Sequence, residues 1–403
     1  MPNPEPGMQP LRDYLIVEVA EGIAGPCCGL QYADLGARVI KIESPDGDRA
    51  REWGPPMAGD VAAIFAHLNR GKESIVLDLA APEGRTSLDA LLARADAVVA
   101  HNDPGDPAPI DWQAMAQRHS RLVVCELDWL GTRGPLAGLA GSELSIQAMS
   151  GFTRYVGEPG GEPCRVGFEI GSMATAMHAF QAIAAGLFHR DAGGSGQYVQ
   201  VSALNSLLSM KTILLAAHSG DIDAWDGFHL NGPHWPPDTG WKTTDGQITF
   251  DFRHGQRDEW AAFCRKVGLD ALVDHPDYAD WRSTIYIGDR RFTHGEPYRK
   301  VFASMTCEEA SAIINDLGGI SVKFHDYAEM LAHPQVQTLD ALVTVHEGGH
   351  AGQQVGTPFK FGGEERRAQL SRAPRLGEHS DAVLAEFTAS GPALAHGMRE
   401  AAP

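Results

Sequence analysis

Leu15 to Ala20 form a predominantly apolar run at the start of the fold, and Gly22 and the Gly25-Pro26 pair break it. A short run of this kind predicts a strand buried on both faces of a parallel sheet. A helix follows from Cys27 to Gly36, and Val39 to Glu43 repeats the strand pattern. The same rhythm continues downstream. Ser74 to Leu79 reads as a strand, and Pro82-Glu83-Gly84 opens a helix that runs to Arg94 with proline in its first turn. Ala97 to His101 is a strand, Asp111 to His119 a helix, and Leu122 to Leu127 the next strand. Strands alternating with helices predict a doubly wound, Rossmann-like α/β domain.

Met173 to Arg190 is rich in Ala and Met and carries one glycine, Gly186. It predicts a helix packed on the sheet, with the methionines filling core space. Gly194-Ser195-Gly196-Gln197 then leads into an alternating strand, Tyr198 to Ser202. Near Gly220 to Gly240 the composition shifts to Gly, Pro, Trp, His and Asp, the signature of a loop or linker. Beyond it lies a smaller α+β region with a strand at Gln247 to Phe252 and helices near Trp260 and Glu308. From about Asp326 the chain reads as a return to the first domain. The expected plan is a large domain over 1–225, a small domain over 226–325, and a return to the large domain over 326–403. Trp235, Trp241, Phe252 and His254 suggest an aromatic-lined region in the small domain, though core packing explains them equally well.

Charge narrows the function classes. There are 33 Lys and Arg against 52 Asp and Glu, a formal net charge of −19, which argues against a nucleic-acid surface. No apolar run approaches the ~20 residues of a membrane-spanning helix. The first ten residues lack the basic and apolar regions of a signal peptide, so a cytoplasmic protein with reduced thiols is expected. Cys27, Cys28, Cys125, Cys164, Cys264 and Cys307 show no zinc-ligand spacing. Gly22-x-x-Gly25-Pro26 does not fit the dinucleotide fingerprint, which speaks against a nicotinamide cofactor.

Several short motifs occur in a specific order. Ala24-Gly25-Pro26 is followed by Ala33-Asp34-Leu35-Gly36-Ala37-Arg38-Val39-Ile40-Lys41-Ile42-Glu43, then Asn69-Arg70-Gly71-Lys72-Glu73-Ser74. Gln147-Ala148-Met149-Ser150-Gly151 precedes Arg165-Val166-Gly167-Phe168-Glu169-Ile170-Gly171-Ser172-Met173, and Pro374 to Ser380 closes the series. Together these blocks resemble the family III CoA-transferases over nearly the whole chain. The resemblance implies a large Rossmann-like domain built from both chain ends, a small middle domain, and a dimer of two interlocked rings. It implies CoA and acyl-CoA as substrates, a carboxylic acid as acceptor, and no metal. CoA contacts are implied at Ile23, Ala24, Leu77, His101 and Asn102.

The resemblance also implies an aspartate nucleophile where this chain has Ser172. Such a carboxylate attacks the thioester and passes through a mixed anhydride and an enzyme-bound CoA thioester. Serine cannot form an anhydride, and no Ser–His–Asp pattern stands near it. Glu143 matches an acidic pocket position of the family. Glu169, three residues before Ser172, is a candidate displaced nucleophile. In the racemase branch a His/Asp pair moves the proton, and here Ser142 and Ser172 hold those positions. The resemblance implies a basic residue soon after Glu43, which here is followed by Ser44, and an arginine expected after Asp103 has no counterpart. Three readings follow: a non-catalytic subunit paired with a homologous catalytic chain, a homodimeric enzyme using Glu169 or Ser172, or a non-enzymatic scaffold protein.

Overall fold

A computed structural model describes residues 9–56, 61–102, 104, 109–156, 162–212, 240–252, 257–285, 289–339, 341–347, 350–358 and 371–388. Asp103, Trp235, His254 and most of the linker-like tract lie outside the described residues. The chain divides into two compact units. One is Met1–Ser150, Gly167–Met210 and Gln337–Pro403; the other is Gly151–Val166 and Lys211–Val336. The sequence plan had set the joints at 225/226 and 325/326. Composition marks where a loop lies, whereas packing decides which body a segment joins.

Six strands build the sheet of the large unit: β1 (Leu15–Val19), β2 (Arg38–Glu43), β3 (Glu73–Val76), β4 (Ala97–His101), β5 (Val123–Asp128) and β6 (Tyr198–Ser202). Their order is β3-β2-β1-β4-β5-β6, and every pairing is parallel. The chain runs outward from β1 to β3 and then restarts on the other side at β4. This leaves a topological switch point at the carboxyl ends of β1 and β4. The third strand is shorter than expected. The Leu77 amide still donates to the Glu43 carbonyl at 3.0 Å, and the chain then turns at Asp78, whose carboxylate accepts from the Ala80 amide.

Alternate residues feed two cores, one on each face of the sheet. Val17, Ile40, Val98 and Val124 pack with α3 (Pro82–Leu92), α4 (Trp112–Arg118) and the last helix, Ser380–Thr388, through Val383 and Phe387. Ile16, Val39, Val99 and Cys125 pack with α1 (Ala24–Asp34) and α6 (Ile170–Asp191). Gly186 lets α6 lie close to β5, since a methyl there would meet Val123 Cγ1 at 2.8 Å. The buried stripe of α6 is Ala176, Ala179, Ile183 and Leu187. Met173 and Met177 are instead 39% and 54% exposed, which corrects the expectation that they fill the core. They are spaced i, i+4 and share a face away from that stripe. Cys27 and Cys28 are buried in α1, and burial pushes the Cys27 thiol up to about 11.

The return segment closes the open edge of β3. The His379 amide donates to the Ser74 carbonyl at 2.9 Å, and the Val76 amide donates to Ser380 Oγ at 3.0 Å. The small unit holds an aromatic core in which Trp260 stacks on Trp281 at 5.6 Å and donates its indole N–H to Tyr298 at 3.0 Å. Trp241 and Phe252 belong to this core, at 3% and 1% exposure, and so serve packing. Among the described residues no helix is long and apolar enough to cross a membrane.

A charged cluster is buried beside α1. Glu18, fully enclosed on β1, accepts from Lys41 at 2.8 Å and from Lys72 at 2.7 Å. Lys41 also pairs with Asp48 at 2.7 Å and donates to the Ala20 carbonyl at 2.9 Å. Lys72 also donates to the Pro26 carbonyl and to Asn69 Oδ1, both at 2.8 Å. Each ammonium thus has a partner for all three of its protons. Burial alone would draw the Lys41 pKa down, but the Glu18, Asp48 and Glu43 charges raise it overall. Burial pulls on Asp48 in the opposite sense, yet Lys41 holds its carboxyl below the usual range.

Glu18→Gln leaves two buried ammonium groups with one carboxylate fewer and should cost about 3–5 kcal/mol of stability. Urea unfolding checks this, and a variant within about 1 kcal/mol of the parent contradicts it. Acid should act through Asp48. A lowered folded-state pKa contributes stability above the ordinary carboxylate range, and that contribution disappears as pH falls through the lowered value. The melting temperature should therefore decline below about pH 4. A melting temperature that stays flat down to about pH 3 would count against this role.

Candidate functional site

The buried charges fix the loops around a cavity of about 240 Å³ at the carboxyl ends of β1 to β4. Its lining includes Glu21, Ser44, Arg49, Asp78 and the sequence-predicted Leu77, His101 and Asn102. Ile23 and Ala24, also predicted as CoA contacts, stand at the start of α1 and are not among its lining residues. His101 donates from Nδ1 to the Leu127 carbonyl at 2.9 Å, which sets the ring against the neighbouring strand. The Asn102 side chain clasps Ile110 twice, donating to its carbonyl at 2.9 Å and accepting from its amide at 3.2 Å.

A cation is expected soon after Glu43, which is followed by Ser44. The structure brings Arg49 to the same cavity. The chain turns at Gly47, whose φ is 81°, and Asp48 then caps a short 3₁₀ turn, Arg49–Glu52. Arg49 faces Glu21, with Nε 3.3 Å from its carboxylate. Partial burial foremost, and then the Asp48 charge, raise the Glu21 pKa against the pull of Arg49. Glu43 is already matched, because Arg51 grips both of its oxygens at 2.7 Å. The usable signal for Arg49 was the Asp46-Gly47-Asp48 turn, which doubles the chain back.

Ser172 lies in the first turn of α6 and is 3% exposed. Its partner is Glu143, the first residue of α5 (Glu143–Met149). Glu143 Oε1 accepts from the Gly171 amide at 2.7 Å and from Gln147 Nε2 at 2.9 Å. Oε2 accepts from the Ser172 amide at 2.9 Å and from Ser172 Oγ at 2.8 Å. A carboxylate from one helix thus caps the amino terminus of another, where free N–H groups and the helix dipole favour negative charge. Gly171 permits the approach, since a Cβ there would meet Ile146 Cδ1 at 2.2 Å.

The other candidates have structural places. Ser142 caps α5 and accepts from the Ser145 amide at 3.2 Å. Glu169 is the N-cap residue of α6, but its side chain makes no capping hydrogen bond. The carboxylate that meets Ser172 is therefore Glu143, 29 residues upstream, and not Glu169. His178, six residues beyond Ser172, has a buried Nδ1 without a hydrogen-bond partner. Ser172 thus donates to a carboxylate that accepts four hydrogen bonds in all. Among the described residues no group of three or more His, Cys, Asp or Glu side chains converges as a metal site would require.

A parallel sheet of this order, with a cavity at its switch point, defines a doubly wound α/β protein. The particular group follows from comparison: residues 11–380 match CoA-transferase family III, and the chain belongs to that family. A succinate–glutarate CoA-transferase from Agrobacterium fabrum is 30% identical, covering 96% of this chain and 97% of the relative. A succinyl-CoA:mesaconate CoA-transferase from Haloarcula hispanica is 27% identical over 94% of this chain and 96% of the relative. The crystal structure of a CAIB/BAIF family protein from Brucella suis superposes with a TM-score of 0.80 at 26% identity. It covers 94% of this chain and 99% of that one.

A double-mutant cycle tests the Glu143–Ser172 pairing. Glu143→Ala removes the cap from α6 and should cost about 1–2 kcal/mol. Ser172→Ala alone should cost about 1 kcal/mol, but close to nothing in the Glu143→Ala background, where its acceptor is gone. Strictly additive costs in urea unfolding would show that the two side chains do not interact.

Proposed function

We propose that this chain is the non-catalytic subunit of a CoA-transferase that moves CoA between an acyl-CoA and a free carboxylic acid. Its partner is a homologous subunit that carries the nucleophilic aspartate, joined to it in the interlocked-ring arrangement of the family, in the cytoplasm. The observation that carries this reading is the hydrogen bond from Ser172 Oγ to Glu143. The family resemblance implies an anhydride-forming carboxylate where this chain has Ser172, and a hydroxyl yields only an ester. The Gly171 and Ser172 amides, which would stabilise a tetrahedral oxyanion, are engaged by Glu143.

In the partner, aspartate attacks the thioester carbonyl and CoA thiolate leaves, giving a mixed anhydride. The thiolate then attacks the aspartyl carbonyl, releasing the donor acid and leaving an enzyme-bound CoA thioester. The acceptor carboxylate attacks that thioester, and the returning thiolate completes acceptor-CoA and frees the aspartate. The names of the relatives favour short dicarboxylic acids as donor and acceptor. A second reading keeps the chemistry in a homodimer with an altered nucleophile. Its support is the Glu143 carboxylate, which stands on the α6 terminus beside Ser172; Glu169 lacks that support.

Succinyl-CoA and glutarate assayed with the purified chain should give only background exchange. Co-expression with a homologue bearing aspartate at the matching position should yield a stable complex that turns over. Ser172→Asp alone should stay close to background, because the arginine expected after Asp103 is missing as well as the nucleophile, and positioning contributes as much as the carboxylate. Hydroxylamine trapping followed by mass mapping decides the point: a stoichiometric adduct on Ser172 or Glu143 in the chain alone overturns the subunit reading.

A further inference from the structure

We propose that His379 is a proton-sensitive latch: its neutral ring pins the return segment to the open edge of β3, and a proton on the ring releases the segment. The latch is independent of the chemistry at position 172.

β3 is the outer strand of the sheet, so its outward amides need partners from elsewhere in the chain. The Ser74 amide donates to His379 Nδ1 at 3.1 Å, and the Val76 amide donates to Ser380 Oγ at 3.0 Å. The His379 amide returns a bond to the Ser74 carbonyl at 2.9 Å. Gly377 makes this approach possible. Its φ is 66°, and a Cβ there would meet Val76 Cγ2 and Ser380 Oγ, each at 3.1 Å. A backbone N–H can only donate, so Nδ1 must offer a lone pair and the ring proton sits on Nε2. A second proton makes Nδ1 a donor as well. Two donors then face each other, and the Ser74 amide loses its acceptor.

The charged groups around the ring are carboxylates paired with arginines. Glu378 stands beside His379 on the same segment. Arg372 grips it at 2.6 and 2.8 Å and foremost holds its carboxyl down at about 2, while the Arg375 amide donates to it at 2.8 Å. From β2, Glu43 accepts from Ser74 Oγ. Burial works against that carboxylate, yet Arg51 and then Lys41 hold it below the usual range. Glu73 precedes Ser74 on β3 and pairs with Arg38, and Asp381 opens the last helix. Between about pH 5 and 8 carboxylates ordinarily stay charged and imidazole is the side chain that titrates. The latch is therefore closed on the alkaline side of that window and opens as pH falls through it.

The stretch it holds is short. The Gly71 amide donates to the Ser371 carbonyl at 3.1 Å upstream, and Val383 and Phe387 anchor the last helix in the core downstream. Between these anchors Arg375 and Leu376 are exposed. Arg51 reaches the Pro374 carbonyl at 3.2 Å. Ser74 and Arg51 also hold Glu43, which lines the cavity, so release of the segment reaches the cavity wall.

Hydrogen–deuterium exchange of the full chain, at about pH 7.5 and about pH 5 and corrected for the intrinsic effect of pH, tests the latch. Protection of the Ser74 and Val76 amides should fall about tenfold or more at the lower pH, while the amides of β1 and β4 keep theirs. His379→Asn keeps an acceptor at the place of Nδ1 and cannot titrate, so its protection should change by less than about threefold between the two conditions. His379→Phe has no acceptor and should exchange fast at both. A parent protein whose β3 protection changes by less than about threefold overturns the proposal. So does a His379→Asn variant that loses protection at low pH as the parent does. If His379→Phe fails to fold, the parent and His379→Asn still decide.

Discussion

The enclosed carboxylate of Glu18 is the constraint around which the large unit is arranged. It lies between two ammonium groups from separate segments, Lys41 on β2 and Lys72 before β3. With Asp48 the cluster balances two positive charges against two negative ones. Ion pairs of this kind are weak evidence for stability, because desolvation offsets most of the Coulomb attraction. Their effect here is geometric. Lys41 binds the Ala20 carbonyl in the loop that joins β1 to α1, and Lys72 binds the Pro26 carbonyl in the first turn of α1. The Gly22 amide donates to Asp48 at 3.0 Å, which ties that loop to the one after β2. Both loops line the ligand cavity, so its shape follows from a charge cluster that is itself out of reach of solvent. Even α1 is fitted to it: a side chain at Gly29 would begin 2.0 Å from Glu18 Oε2.

Much of this architecture was legible in the sequence, because parallel strands buried on both faces leave continuous apolar runs. The limits of β4 and β6 match the reading residue for residue, and β1 ends one residue early. What was not legible depends on pairing across the sheet. Glu18 sits in an otherwise apolar run, and nothing local says that its partners stand 23 and 54 residues away. Arg49 was passed over because the cation was sought next to Glu43, whereas a turn at Gly47 carries the chain back to the cavity. The methionines of α6 failed as core markers because alanines and an isoleucine already fill that face.

Of the two places where ligand chemistry was expected, one remains open and the other is internally satisfied. The cavity has polar groups on its rim and room for part of a ligand. At the terminus of α6 the Gly171 and Ser172 amides already donate to Glu143. The same helix-terminal donors that stabilise negative charge during catalysis stabilise a resident side chain equally well. A site that binds its own carboxylate this firmly must displace it before anything else can use those donors.

This occupation gives a physical meaning to serine at position 172. Glu143 places an oxygen 2.8 Å from the Ser172 hydroxyl and 2.9 Å from its amide, so the residue there must donate. Serine does so in its ordinary protonation state. An aspartate in the same rotamer would bring a second negative charge against the first, and opposition of like charges at about 4 Å costs several kcal/mol in partly screened surroundings. It would then have to bind a proton, turn away, or drive Glu143 off the helix. Serine and Glu143 are thus a matched pair: one charge, four donors, and a helix terminus without an unmet N–H on that side. On the proposed reading this is why the scaffold persists without its nucleophile. The interactions that hold α5 on α6 do not need a carboxylate at position 172, because the Gly171 and Ser172 amides and Gln147 already hold Glu143.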